Sequence, residues 1–408
     1  MKWASAISGV RKVGRAKPPD AQKTFEDLSK KISAQLDGQR PDLCIAFVSP
    51  HFAEQFDDIP AIVGKAINPQ TFIGCSAGGI IGGGEEIEQR PGIAVTAAVL
   101  PNVSIDPFHV TDEELPDGDA SPDRWEELFA VKSASEPSFI LLPDPFSFEI
   151  DALVQGLDFA FPHCTKLGGL ASGASQPLMN ALFLNDETYR RGCVGLAIAG
   201  NVMVDTVVAQ GCRPVGRPLR VTACQHNFLF ELDGQPAVYA LQELLSQLSE
   251  KDQELAHNSL FLGLVMDEFK DNFKPGDFVI RNILGIEPKS GALMVGETLH
   301  TERTVQFHLR DAATSADDLR FMLKRYMDKC KMSGFNKAQG ALLFSCLGRG
   351  EYLYGQPNHD SNCFREYIGE VPLGGFFCNG EIGPVGGTTF LHGYTSSFGI
   401  FREKQSAV

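Results

Sequence analysis

Hydrophobic positions along this chain gather in short runs rather than long stripes. Three of them, "DLCIAFVSPHF", "SFILLPDPFSF" and "ALLFSCLGRG", are continuous apolar segments that end in a loop. Runs of that length bounded by turn residues are the pattern of strands buried on both faces. The first two are followed by apolar, helix-like segments, "AIVGKAI" and "DALVQGLDFAF". Glycine-punctuated segments come next: "PQTFIGCSAGG" (Pro69 to Gly79) and "TKLGGLASGAS" (Thr165 to Ser175). The third run leads to a comparable segment, "VPLGGFFCNGE" (Val371 to Glu381). The recurring unit is therefore strand, loop, helix, glycine-punctuated strand, clear twice and weaker the third time. Repeated β-α-β order predicts an α/β fold with mixed (α+β) sheets. We expect two tandem related lobes, each with β-sheet layers covered by helices.

Between the second and third units the pattern changes. "PGIAVTAAVL", "NALFLND", "RGCVGLAIAG" and "NVMVDTVVAQG" are short and β-rich, and the last three, with turn residues between them, predict antiparallel strands that extend one sheet. "GCRPVGRP", Gly211 to Pro218, carries two prolines and two glycines and predicts a domain boundary. It divides the chain into residues 1–212 and 213–408. A helix is expected from about Pro236 to Gln247, with Val238, Leu241, Leu244, Leu245 and Leu248 on one face. "DFVIRNILGIEPKSGALMVGE" is again β-rich. "TSADDLRFMLKRYMDK" predicts a helix capped by Ser315 with Asp318, whose stripe of Leu319, Met322, Leu323, Tyr326 and Met327 is core.

Composition narrows the picture. The 408 residues suit two or three domains, and 43% hydrophobic residues exclude a disordered chain. A net charge of −15 and a pI near 5.1 disfavour nucleic acid and anionic lipid as partners. No apolar run is long enough for a membrane span, so no membrane insertion is expected. The N-terminal "MKWASAISGVRKVGRAKPP" lacks the apolar core of a secretory signal and predicts a first strand, "WASAIS", followed by a basic turn. Ten cysteines without a C-x-x-C pair, several inside apolar runs, fit buried free thiols in a reducing cytoplasm.

Candidate chemistry is concentrated near the C-terminus. "GCSAGGIIGGGEE", Gly74 to Glu86, lacks the Lys-Ser/Thr of a phosphate loop and the strand-turn-helix context of a dinucleotide fold. In "GGFFCNGEIGPVGG", Gly374 and Gly375 let the backbone bend or a ligand come close, Phe376 and Phe377 alternate faces, and Cys378, Asn379 and Glu381, with Gly380 among them, supply a thiol, an amide and a carboxylate. A polar trio beside aromatic rings has the composition of a small-molecule pocket. Equally, Cys378 is a buried thiol on a bent strand, or a nucleophile if a base such as His392 reaches it. Cys346, Arg349 and Gly350 end the strand in "LLFSCLGRG", where an arginine in a glycine loop can hold a carboxylate or phosphate. Arg281 and Asn282 interrupt an apolar strand, which requires a partner or a ligand; Glu381 is one candidate partner for Arg281. The nine histidines form no metal-binding spacing, and His308 alternates with apolar neighbours as a strand residue does.

Together these segments resemble the FIST family. "GALLFSCLGRG … VPLGGFFCNGEIGPVGGTTFLHGYTSSFGIF", "FVIRNILGIEPKSGALMVGE" and "VQFHLRDAATSADDL" are similar to its C-terminal domain; "WASAIS", "FIGCSAGGIIGGGEEIE" and "LGGLASGA" are similar to its N-terminal one. The resemblance spans nearly the whole chain and implies a cytoplasmic sensory module of the stand-alone type, without an F-box. It implies a small-molecule ligand, such as an amino acid, and a signalling protein as partner; haem is a further cofactor it leaves open. It carries over the motif positions Cys346, Arg349 and Gly350, and Gly375 to Glu381, as pocket candidates. Two other readings stand beside it: an enzyme that acts on a small molecule through Cys378 or Glu381, and a protein-interaction scaffold.

Overall fold

The computed structural model describes residues 1–9, 20–270, 272–274, 276–335 and 337–404. The basic turn expected after the first strand lies outside them. Packing divides the chain into two compact units, one of residues 1–208, 320–391 and 395–408, the other of residues 209–319 and 392–394.

The larger unit holds three six-stranded mixed sheets of one design. The first orders its strands Lys2–Gly9, Gly92–Val99, Leu43–Val48, Thr71–Ser76, Leu182–Leu184 and Glu187–Tyr189. The second runs Val103–Val110, Cys193–Gly200, Ser138–Pro143, Lys166–Gly169, Glu381–Val385 and Thr388–His392. The third runs Met203–Ala209, Ser396–Arg402, Gly340–Cys346, Leu373–Cys378, Gly79–Gly82 and Glu85–Glu88. In each, the two middle strands are parallel and are joined through a helix: Ile59–Ala66, Ile150–Ala160 or His359–Ile368. These are the three units anticipated from the pattern, and the third is as complete as the others.

The apolar runs are continuous because both faces of these strands are buried. Leu43, Ile45 and Phe47 point into a core shared with Ile140, Leu142, Leu342 and Phe344 of the other two sheets. Cys44, Ala46 and Val48 alternate to the opposite face, against Phe25, Leu28 and Ile32 of helix Ala21–Gln35. Phe139 and Leu141 likewise face Leu153 and Leu157 of helix Ile150–Ala160.

The glycine-punctuated segments are where the chain leaves one sheet for the next. The hairpin after the first unit joins the third sheet, the hairpin after the second joins the first, and the hairpin after the third joins the second. The exchange is cyclic. It begins at Gly74, Gly168 and Gly375, which sit opposite Ala46, Leu141 and Leu343 on the parallel neighbour. A Cβ at any of the three would stand 1.9–2.0 Å from that neighbour's carbonyl oxygen, so only glycine fits. The exchange also corrects the expectation for the middle of the chain. Leu182–Leu184, Cys193–Gly200 and Met203–Ala209 lie close together along the chain, yet each belongs to a different sheet.

The smaller unit is antiparallel. Strands Arg213–Gln225, Thr304–Leu309, Leu260–Val265, Phe278–Ile286, Leu293–Val295 and Phe228–Leu232 pair in that order, and the last pairs back with the first to close a barrel. Helix Ala237–Gln247 buries Leu241 and Leu244 against its core, as its spacing predicts. Helix Ala312–Ser333 starts earlier than expected. Asp311 caps it by accepting the Thr314 N–H, while Ser315 and Asp318 lie inside the helix and bind the backbone C=O and N–H of Gly211. Among the described residues no helix is long and apolar enough to cross a membrane.

Candidate functional site

The edge strand Glu85–Glu88 of the third sheet lies against the start of helix His359–Ile368. The Glu86 N–H donates to Asn358 Oδ1 at 2.6 Å, and Glu86 Oε1 accepts the Ser361 N–H at 2.7 Å. Strand alternation puts Glu86 and Glu88 on one face and Ile87 on the other. Glu88 accepts the Glu351 N–H at 2.8 Å, and a Cβ at Gly350 would meet its Oε1 at 2.3 Å. Gly350 is thus the residue that lets this carboxylate approach the backbone; its φ of +65° suits glycine as well.

Behind this contact sits a buried polar cluster. Arg349, fully enclosed, donates from Nε and Nη2 to the two oxygens of Asp360 at 2.8 and 3.2 Å, and its Nη2 also reaches the Tyr354 hydroxyl. Asp360 further accepts from Ser396 at 2.6 Å, Ser345 at 3.3 Å and His359 Nδ1 at 3.0 Å. The His359 ring stacks on Tyr354 with centroids 3.5 Å apart. Burial alone would favour a neutral Asp360, but the Arg349 guanidinium and these donors outweigh it and hold the carboxyl well below the usual range. Glu86 goes the other way. Burial first, and then the Asp360 charge, lift it to about 8, against the pull of the Ser361 N–H and hydroxyl. Three buried atoms here, Glu86 Oε2, Ser361 Oγ and Arg349 Nη1, have no hydrogen bond of good geometry among the described residues.

Two cavities open beside Glu86 and Ser361. One of about 630 Å³ is lined by Glu86, and one of about 310 Å³ by Ser361. They share Ser5, Gln35 and Gly83, so they form one cleft. Its walls carry both signs of charge: Lys31 and Arg90 with Glu85 in the larger part, Arg365 with Glu370 in the smaller.

The residues singled out from sequence are placed as follows. Arg281 and Asn282 belong to the barrel unit, where Arg281 Nε donates to Glu297 at 2.7 Å and the exposed Asn282 accepts the Tyr394 hydroxyl. The other ten belong to the three-sheet unit. Phe376 stacks on Phe47 with centroids 4.6 Å apart and meets Phe344 edge-on; with Phe377 it is core, not cavity wall. Gly375 makes the close strand approach described above, and Gly380 fits between Leu170 and Leu391. Asn379 is exposed. Cys378 is fully buried, its thiol donating to the Ser345 carbonyl and to Glu381 Oε1, both at 3.4 Å. Burial and then the Glu381 carboxylate push the thiol up, away from the thiolate a nucleophile needs. Glu381, also buried, accepts the Thr395 N–H at 3.0 Å. Cys346 is half-buried at the end of its strand. The structure therefore brings Arg349 and Gly350 into the cluster beside the cleft. Glu86, Ser361, His359 and Asp360 were missed. The first stood in a quoted glycine run and the others in the polar "PNHDSN", where nothing in the sequence marks a buried acid. Among the described residues no group of three or more His, Cys, Asp or Glu side chains is placed to hold a metal.

Comparison with known proteins places the chain. The FIST N domain matches residues 42–235 and the FIST C domain residues 237–384. An uncharacterized protein of Mycobacterium tuberculosis is 34% identical over 389 residues, covering 95% of this chain and 98% of its own. An uncharacterized protein of Mycobacterium bovis is 32% identical over the same length and coverage. An F-box/LRR-repeat protein of Arabidopsis thaliana is 32% identical over 357 residues, 75% of this chain and 66% of the plant protein. FIST domains are in general sensory, ligand-binding domains of signal transduction. With both domains matched in order along the sequence, this chain belongs to the FIST family.

Proposed function

We propose that the chain is a cytoplasmic sensory module that binds a small polar metabolite, of the amino-acid class, in the cleft floored by Glu86 and Ser361. The observation that carries this reading is Glu86, which lines the cleft, is 3% exposed, and has one carboxyl oxygen, Oε2, buried without a hydrogen bond of good geometry among the described residues. A buried polar atom without a partner is costly, and a ligand that bonds it recovers that cost. With its pKa near 8, Glu86 carries a proton at neutral pH and presents a hydroxyl donor. Walls with charges of both signs suit a zwitterion. Ten cysteines with no disulfide among them accord with a reducing compartment. The Cys378 thiol, pushed up by burial and the Glu381 carboxylate, gives no support to a catalytic cysteine at neutral pH. The sensor reading also expects a signalling partner, and it keeps the two FIST halves, 1–212 and 213–408, as the domain description.

The test is native mass spectrometry and calorimetry with a panel of amino acids. The expected result is stoichiometric binding that Glu86→Gln retains, since the amide still donates, and Glu86→Ala weakens at least about tenfold, the equivalent of ~1.4 kcal/mol. Binding unchanged by Glu86→Ala and Ser361→Ala would remove the ligand from this cleft.

A further inference from the structure

Cys346 and Cys378 occupy facing positions on neighbouring strands. The parallel register runs Phe344↔Phe376, Ser345↔Phe377 and Cys346↔Cys378. The Leu347 N–H donates to the Cys378 carbonyl at 3.0 Å, so the ladder continues past the pair rather than fraying before it. Residues in register on adjacent strands stand about 4.8 Å apart, and their side chains leave the same face. That separation lies inside the roughly 4.4–6.8 Å between Cα atoms that a disulfide requires. The register pair two residues earlier shows that side chains on this face do meet: the rings of Phe344 and Phe376 lie 5.8 Å apart, edge to face. The two thiols differ in access. Cys378 is enclosed in the core shared by the three sheets, whereas Cys346 is half-buried beside Leu347, which is exposed.

We infer that Cys346 and Cys378 form a peroxide-sensitive dithiol pair that closes to a cross-strand disulfide. A hydroperoxide is the oxidant. The Cys346 sulfur attacks one peroxide oxygen and the O–O bond breaks, giving a sulfenic acid and, from hydrogen peroxide, water. The Cys378 sulfur, passing its proton to the Glu381 carboxylate to which it donates at 3.4 Å, then displaces the sulfenic hydroxyl; the S–S bond forms, and the hydroxyl leaves with that proton as a second water. The disulfide would fix the end of the Gly340–Cys346 strand, three residues before Arg349. The other eight cysteines provide the control; none of the ten is disulfide-bonded in the structure.

The experiment uses the full chain. It is treated with hydrogen peroxide, its remaining thiols are alkylated in denaturant, and it is digested without reduction for peptide mapping. The expected product is a peptide joining Cys346 to Cys378, lost on reduction with dithiothreitol. In Cys378→Ser the same treatment should leave Cys346 as a dimedone-reactive sulfenic acid, since its resolving thiol is gone. The mapping on the unmodified protein stands even if that variant folds poorly. Over-oxidation of Cys346 without a link, a link to any other cysteine, or full alkylation of all thiols after peroxide would overturn the inference.

Discussion

Asp360→Ala is the most informative single change in this protein. Asp360 accepts from Arg349 Nε and Nη2, His359, Ser345 and Ser396, and both it and Arg349 are almost fully enclosed. Removing the carboxylate leaves a guanidinium that cannot shed its proton, buried with no counter-charge of that geometry. Breaking one partner of such a pair costs about 3–5 kcal/mol, a large fraction of the ~5–15 kcal/mol that separates folded from unfolded domains. Replacing both partners, Arg349→Met with Asp360→Leu, should recover most of that loss, because the charge and its desolvation vanish together. The assay is denaturant unfolding followed by tryptophan fluorescence. Both tryptophans, Trp3 and Trp125, are buried in the three-sheet unit, so the signal reports that unit and not the barrel. A shift in midpoint at constant slope gives the stability change. The pH dependence follows from the depressed carboxyl. Its contribution is fully present above the unfolded-state value of about 4 and is lost as pH falls through the lower folded-state value. The gap between the unmodified protein and Asp360→Ala should therefore narrow only below pH ~4. A loss under ~1 kcal/mol at neutral pH, or a double variant no better than the single one, would refute the reasoning.

Glu86 predicts the opposite slope. Its folded-state value is about 8 and its unfolded one about 4.3, so between those limits the unfolded chain holds fewer protons and stability falls as pH rises. Glu86→Gln should flatten that fall, and parallel stability curves for the two proteins from pH 5 to ~8.5 would contradict the assignment. Gly375→Ala should exceed the usual ~1–3 kcal/mol of overpacking, because its Cβ meets the Leu343 carbonyl at 1.9 Å and backbone cannot rotate aside. Soluble yield with a denaturation midpoint would show it, and a loss below ~1 kcal/mol would mean that the strand pair yields.

Much of this molecule is determined by local rules. Continuous apolar runs such as Leu43–Val48 identified central strands, since a strand covered on both faces has no polar positions to display. The helix Ala237–Gln247 declared itself through its apolar face. The three glycine segments marked real equivalents, because a close strand approach leaves room for one residue type only. Sheet membership was not legible. Whether Leu182–Leu184 pairs with Thr71–Ser76 or with a nearer strand depends on which edges are left open by distant elements, and every candidate edge offers the same backbone groups. The site escaped for a related reason. The "GGFFCNGE" composition suits a pocket or a core equally well, and only packing put Phe376 against Phe47. Glu86 and Asp360 are ordinary acids in polar surroundings along the chain. It is the meeting of the Glu85–Glu88 strand with helix His359–Ile368, more than 270 residues apart in sequence, that removes both from water, ionises one and holds the proton on the other.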